Sequence, residues 1–249
     1  MVRRRVAAVC VGLVTLGAIV GCDGMPGKPL EQERWVPPIQ AVDFVTLYTQ
    51  HCSGCHGRDG RLGAARPLND PLYLTLVSEK RLREVIAQGG PGTSMPAFAQ
   101  QAGGSLTDKQ IEILVEEMRA RWGRPEEFTN VVLPPYSVQE ATATGSGPGD
   151  PQRGAVTYTT YCTQCHGTDG SGSPKGGSLT DPAYLALVSD QALRTAVIVG
   201  RADLGKPDWR VNLPGRPMST QEISDVVAWL ASHREAGLVA QRESGKERR

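Results

Sequence analysis

The segment His51-Cys52-Ser53-Gly54-Cys55-His56-Gly57-Arg58-Asp59-Gly60 decides the reading of this chain. It returns nearly unchanged as Tyr161-Cys162-Thr163-Gln164-Cys165-His166-Gly167-Thr168-Asp169-Gly170. Each copy contains C-x-x-C-H, the spacing for covalent attachment of a c-type haem. The chemistry accounts for the spacing. Two thiols add to the two vinyl groups of one porphyrin edge, and the histidine that follows reaches the iron from one side. Cys52, Cys55, Cys162 and Cys165 are therefore candidate attachment residues, and His56 and His166 candidate iron ligands. Zinc and dithiol redox chemistry compete for the same cysteines. A single zinc site built from four thiolates would leave both histidines without a role, and a dithiol motif gives no reason for a histidine after each pair. Two covalently bound haem c groups are the expectation, with electron transfer as their use.

The internal repeat extends well beyond these motifs. Leu68-Asn69-Asp70-Pro71-Leu72-Tyr73-Leu74-Thr75-Leu76-Val77-Ser78 matches Leu179-Thr180-Asp181-Pro182-Ala183-Tyr184-Leu185-Ala186-Leu187-Val188-Ser189. The offset lengthens by one residue between Cys52/Cys162 and Leu68/Leu179, and by one more at Ile111/Ile223. Duplication followed by single-residue insertions leaves such a drift. It implies two homologous domains of about 85 residues each, small but within the usual range.

Helices are legible in both copies. A short apolar helix (41–51 and 152–161) leads into each C-x-x-C-H, and Ser78 and Ser189 are placed as N-caps of a later one. Thr107-Asp108-Lys109-Gln110 and Ser219-Thr220-Gln221-Glu222 read as capping boxes, with Leu106 and Met218 as the apolar residues that staple each helix start. Apolar positions 111, 114, 115, 118 and 223, 226, 227, 230 then keep helical period. No strand-like alternation is present.

With these features together, the chain resembles the class I cytochrome c family in a dihaem form, over residues 40–123 and 152–235. The resemblance implies an all-α fold of two tandem class I cytochrome c-like domains, each wrapping one haem. It implies that the first and last helices of each domain cross. The small-residue and aromatic contact of that crossing is visible as Gly154 with Trp229, whereas Phe44 and Glu117 stand at those positions in the first domain. It also implies that the backbone carbonyls of Pro67 and Ser178 accept the second ring N–H of His56 and His166.

The same resemblance supplies the distal iron ligands. Met95, in Gly92-Thr93-Ser94-Met95-Pro96-Ala97-Phe98, holds the family's usual distal position for haem 1, and a thioether there favours ferrous iron. Haem 2 departs from the pattern. Aligning Gly89 with Gly200 and Pro96 with Pro207 puts Lys206 where Met95 sits. Lys206 has the right position, but its ammonium must lose a proton before it can bind iron. Met218 has the right chemistry, but it stands at the staple position. His233, in the last turn of the final helix, and an open or water-bound iron are the remaining choices. His51 reads as a residue at the haem edge.

The first residues read as an export signal: Arg3-Arg4-Arg5 is followed by the apolar stretch Val6 to Val20, short for a spanning helix. Ile19-Val20-Gly21-Cys22 resembles a bacterial lipobox, in which the signal is cut before a cysteine that is then acylated. An ordinary signal peptide or an uncleaved anchor, with Cys22 incidental, is the competing reading. Several acyl chains on Cys22 would fix the protein to the membrane, on the outer face of the cytoplasmic membrane. Of the 6 cysteines, Cys10 would leave with the signal and Cys22 would be lipidated, so the other four form two complete haem pairs. The organisation is then a signal (1–21), a Pro-rich tether (22–39), domain 1 (40–124), a linker with five prolines (125–151), domain 2 (152–235) and a charged tail (236–249).

Composition bounds the partners. With Lys+Arg 27 against Asp+Glu 26, nothing points to nucleic acid. With 29 Gly, 18 Pro and only 3 Phe, two domains would have thin cores, and a porphyrin in each would supply the missing apolar mass. Redox partners are expected instead: a quinol-oxidising complex or soluble donor, and a terminal oxidase, reductase or photosynthetic centre as acceptor. The alternative is a dihaem enzyme of the peroxidase or thiosulfate-oxidising type, using an unusual ligand on haem 2. A structural subunit without redox work is the third reading, and two intact motifs argue against it.

Overall fold

The computed structural model describes residues 36–144 and 147–246, with side chains described through Arg234. The export segment and Cys22 lie outside the described residues. Residues 36–40 carry one 3-10 turn, Pro38–Gln40. From Ala41 onward the chain forms a second unit.

Among the described residues there is no strand, only three isolated bridges, so the all-α class holds. In the first repeat, Asp43 caps α1 (Phe44–His51) by accepting the Thr46 N–H at 2.8 Å. The one-turn helix α2 (Ser53–His56) follows at once and stops at Gly57, whose φ of 83° is a left-handed value suited to glycine. Asp70 caps α3 (Pro71–Leu76), with Pro71 in the first turn where its missing N–H costs nothing. Ser78 caps α4 (Glu79–Gln88), and Thr107 with Gln110 closes a full capping box at the head of α5 (Asp108–Trp122).

The second repeat retraces this order as α7 (Pro151–Tyr161), α8 (Thr163–His166), α9 (Pro182–Ala186), α10 (Asp190–Val199) and α11 (Thr220–Lys246), after a short linker helix α6 (Val138–Ala143). Ser189 caps α10, and Ser219 exchanges both capping-box bonds with Glu222. Leu106 and Met218 are both buried, as staples should be. The backbone of α11 continues to Lys246, into the charged tail. Charge alone does not stop a helix, since Glu, Gln, Arg and Lys are good helix formers.

The core is continuous across the repeats. Leu47, Leu74, Leu114 and Val115 from the first share one apolar cluster with Tyr158, Ile198 and Ile223 from the second, and Phe128 of the linker belongs to it. A smaller cluster of Leu185, Leu193, Val227 and Leu230 serves the second repeat. The Pro-rich linker is itself folded down. Arg194, 1 % exposed, donates through Nε and Nη2 to the Pro135 carbonyl at 3.1 and 2.8 Å, and Gln191 donates to the Tyr136 carbonyl at 2.9 Å. Burial pulls the Arg194 guanidinium down to about 10.

The helix crossings differ as the sequence implied. A methyl group on Gly154 would overlap the Asp225 carbonyl and the Trp229 side chain, so α7 and α11 meet backbone to backbone. In the first repeat Phe44 fills that place. Its ring packs edge-on against Trp122 at 5.6 Å, while Glu117 turns outward to pair with Arg121 at 2.7 Å.

Candidate haem centres

Each C-x-x-C-H is built at a helix junction. The Cys52 N–H still bonds to the Tyr48 carbonyl of α1, at 2.9 Å, and the Cys52 carbonyl then accepts from the Cys55 and His56 N–H groups at 3.2 and 3.0 Å. Cys162, Cys165 and His166 repeat the arrangement, with Cys162 bonded to Tyr158 at 2.8 Å. Both thiols and the imidazole are thus carried on one turn. Burial, helped by the neighbouring thiol of the pair, pushes Cys52 and Cys162 up to about 12. A dithiol redox site needs the opposite shift, toward thiolate. No three His, Cys, Asp or Glu side chains converge as a metal cage among the described residues.

The histidines are oriented by backbone. His56 Nδ1 donates to the Arg66 carbonyl at 2.7 Å, and His166 Nδ1 donates to the Gly177 carbonyl at 2.8 Å. A carbonyl can only accept, so Nδ1 carries a proton, and in the neutral ring Nε2 is left with the lone pair for iron. Burial pulls the His56 pKa below its ordinary value, which keeps the ring neutral. These acceptors correct the expectation of Pro67 and Ser178 by one residue in each repeat. The loop is pinned by Ala65 N–H on Cys55 and by Leu68 N–H on Gly60, and the Arg66 carbonyl is the one left between them facing the ring. The residues therefore suit a covalently held haem: paired thiols, and an imidazole whose Nδ1–H is fixed on a backbone carbonyl.

On the distal side the two repeats share a backbone frame. Gly90 donates to the Met95 carbonyl at 3.0 Å, and Arg201 donates to the Lys206 carbonyl at 3.2 Å. Gly89 and Gly200, both at positive φ, are pressed against those segments. A Cβ on Gly89 would lie 2.7 Å from the Met95 oxygen, and one on Gly200 would lie 2.8 Å from the Lys206 oxygen. Lys206 thus occupies the register of Met95. Its Nζ donates to the carbonyl of Lys175, two residues before the Gly177 that holds His166. Met218 is 3 % exposed, and its N–H bonds to the Trp209 carbonyl at 3.0 Å, as that of Leu106 bonds to Phe98 at 2.7 Å. Its sulfur faces Asn212 Nδ2 at 4.0 Å. His233 is held at the Trp229 carbonyl, 2.8 Å from Nδ1, with its ring on the tryptophan. His51 meets Phe98 edge-on, beside the Met95 loop.

Residues 39–116 match the family model described as cytochrome c oxidase, cbb3-type, subunit III, and residues 151–234 match the model described as cytochrome c. The chain is a dihaem class I cytochrome c. It binds two haem c groups covalently and transfers electrons. Over 112 residues, 45% of this cytochrome, it is 32% identical to a protein named dihydro-heme d1 dehydrogenase from Pseudomonas aeruginosa, and it spans 19% of that protein's length. A chain of the Kuenenia stuttgartiensis reducing HAO-like protein complex is 17% identical with a TM-score of 0.42, over 80% of this chain and 99% of that one.

Two recurring contacts of the cytochrome escaped the sequence reading. Tyr48 Oη donates to the Gly57 carbonyl at 3.0 Å, and Tyr158 Oη to that of Gly167 at 2.6 Å, tying each first helix to the turn after the haem histidine. The signal was the Tyr-Thr pair four residues before the first cysteine in both copies. Arg119 binds the carbonyls of Leu74 and Val77, and Arg234 those of Leu185 and Val188. These two arginines hold different registers on their helices, so a linear alignment does not pair them.

Proposed function

We propose that this dihaem cytochrome is a membrane-tethered one-electron relay, exported and anchored through lipid on Cys22 to the outer face of the cytoplasmic membrane. It takes electrons from a quinol-oxidising complex or a soluble donor and passes them to an oxidase, reductase or photosynthetic centre. The observation that carries the reading is the doubled histidine–carbonyl site within one continuous core. Supporting it are the match of the first repeat to an oxidase-subunit family and the lipobox-like Ile19-Val20-Gly21-Cys22. The stretch shared with the dehydrogenase, 112 residues, is longer than one repeat and shorter than both.

Haem c bound at these residues supplies a ferrous–ferric couple. The chain does the rest. The Arg66 and Gly177 carbonyls fix each imidazole and raise its basicity as a ligand. Met95, on a loop pinned through Thr93 and Gly90, offers iron a sulfur that stabilises the ferrous state. Lys206, at the equivalent place, would offer an amine, a harder donor that stabilises the ferric state, once it gives up its proton and its bond to the Lys175 carbonyl, with Met218 as the alternative ligand. With haem bound, the Lys206 site would be the lower-potential entry for electrons and the Met95 site the higher-potential exit. The test is a redox titration of the wild type beside Lys206→Met and Met218→Leu. Lys206→Met should raise the lower midpoint and add a second sulfur-to-iron charge-transfer band. Loss of the second site's ligand in Met218→Leu, with no change in Lys206→Met, would give the position to Met218.

A further inference from the structure

The loop behind His56 and the loop carrying Lys206 are joined by one ion pair whose carboxylate is buried. Arg201 grips Asp203 with Nε on Oδ1 and Nη2 on Oδ2, both at 2.9 Å, and the Asp203 side chain is only 3 % exposed. Both residues also reach into the first repeat. Asp203 Oδ2 accepts the Leu62 N–H at 2.9 Å, and Arg201 Nη2 donates to the Gly63 carbonyl at 3.1 Å. Leu62 is the only non-glycine residue with positive φ among the described residues, at 62°, and the carboxylate holds its N–H in that strained conformation.

The two ends of this link touch the two centres. Gly63 lies so close to the Cys55 carbonyl and the His56 backbone that it has no room for a side chain, and Ala65 N–H bonds to Cys55 at 2.9 Å. Arg201, in turn, exchanges both backbone hydrogen bonds with Lys206, at 3.2 and 2.9 Å. A continuous path of packed and bonded groups therefore runs from the Cys55-His56 turn through Gly63, Arg201 and Asp203 to position 206. Arg66, whose carbonyl holds His56, adds a second tie by donating to the Ala192 carbonyl of α10 at 3.1 Å.

We propose that Arg201 and Asp203 are positioning residues that lock the proximal loop of the first haem site to the distal loop of the second, so that the two centres exchange electrons as a fixed pair. The proposal rests on the relay reading and adds an internal step to it: one electron leaves one site and reduces the other within the same chain. A bidentate pair on a buried carboxylate is held in a defined geometry, which a fully exposed pair lacks. Coupling between the sites is then reciprocal, because whatever the Lys206 loop imposes on the His56 loop is returned.

The experiment uses the two-haem protein with one centre reduced by a light pulse, following electron exchange between the sites in wild type, Asp203→Ala and Arg201→Ala. Exchange should slow about tenfold or more in both variants, the scale on which small misplacements tell. The spectrum of the second site should shift in both. Asp203→Asn, which still accepts the Leu62 N–H but loses the charge, should fall between and covers the case in which alanine prevents folding. Arg153→Ala breaks a comparable pair with Asp225, away from this seam, and should lower thermal stability without slowing exchange. Unchanged exchange and spectra in Asp203→Ala and Arg201→Ala, with two haems present, would overturn the link alone. A wild-type protein whose centres cannot be reduced one electron at a time would overturn the relay reading beneath it.

Discussion

Trp229 stacks on Tyr158 with ring centroids 4.2 Å apart, and the indole edge closes over Gly170 just after the second haem motif. Trp122 covers Gly60 in the same way but meets Tyr48 edge-on at 5.3 Å. The difference follows from Gly154. Without a side chain there, the helices meet closely enough for the rings to lie face to face, whereas Phe44 holds its pair apart. Gly154→Ala should destabilise the protein by about 1–3 kcal/mol through overpacking. Phe44→Ala should cost about 3–5 kcal/mol through the cavity it leaves. Thermal melts of the two variants check both, and a neutral Gly154→Ala would contradict the close crossing.

The tyrosine hydroxyls make a smaller prediction. Tyr158→Phe removes the bond to the Gly167 carbonyl and leaves the ring in place, so it should cost about 1 kcal/mol in urea unfolding. Tyr48→Phe should behave alike in the first repeat. Haem content should stay at two per chain in both, since neither hydroxyl belongs to the attachment chemistry.

Acid should weaken the protein through two buried carboxylates. Arg201 holds Asp203 below the ordinary carboxylate range, outweighing its burial, with the Leu62 N–H assisting. Burial pushes Asp225 upward, but Arg153, the Asp150 N–H and Gln221 together outweigh it and hold this group low as well. Both pKa values lie lower in the folded than in the unfolded chain, so the unfolded chain takes up protons first. Their contribution is complete above the unfolded value of about 3.9 and is lost as pH falls through the folded values. Urea midpoints should hold steady from neutral pH to about pH 5 and then drop. Asp203→Asn and Asp225→Asn should each flatten the drop.

Anchoring is tested by Cys22→Ser. If the lipobox-like sequence is used, the variant should be recovered soluble with both haems, whereas the wild type sediments with membranes. A variant that still sediments with no partner complex present would contradict lipidation.

The haem sites were the most legible part of the sequence, because the covalent chemistry demands an unbroken C-x-x-C-H. Helix starts were legible for a similar reason: Ser78, Thr107, Ser189 and Ser219 act within three residues of themselves. What the sequence concealed lies in tertiary contact. The carbonyls that orient His56 and His166 belong to loops closed at Gly60 and Gly170, and one residue of register in such a loop decides which oxygen faces the ring. Trp122 and Trp229 do the same work from different places along their helices, so alignment by position put Glu117 opposite Trp229. The tie from Arg201 and Asp203 to Leu62 and Gly63 joins residues more than a hundred positions apart, and no local pattern announces it.

The most direct test of the account is a coulometric reductive titration of the native protein, paired with a haem count after washing in acid acetone to remove any haem not covalently held. The account predicts two haem c groups per chain that survive the wash. Before the wash, the native protein should take up two electrons per chain in two one-electron steps. One haem per chain, or a single two-electron step, would contradict it.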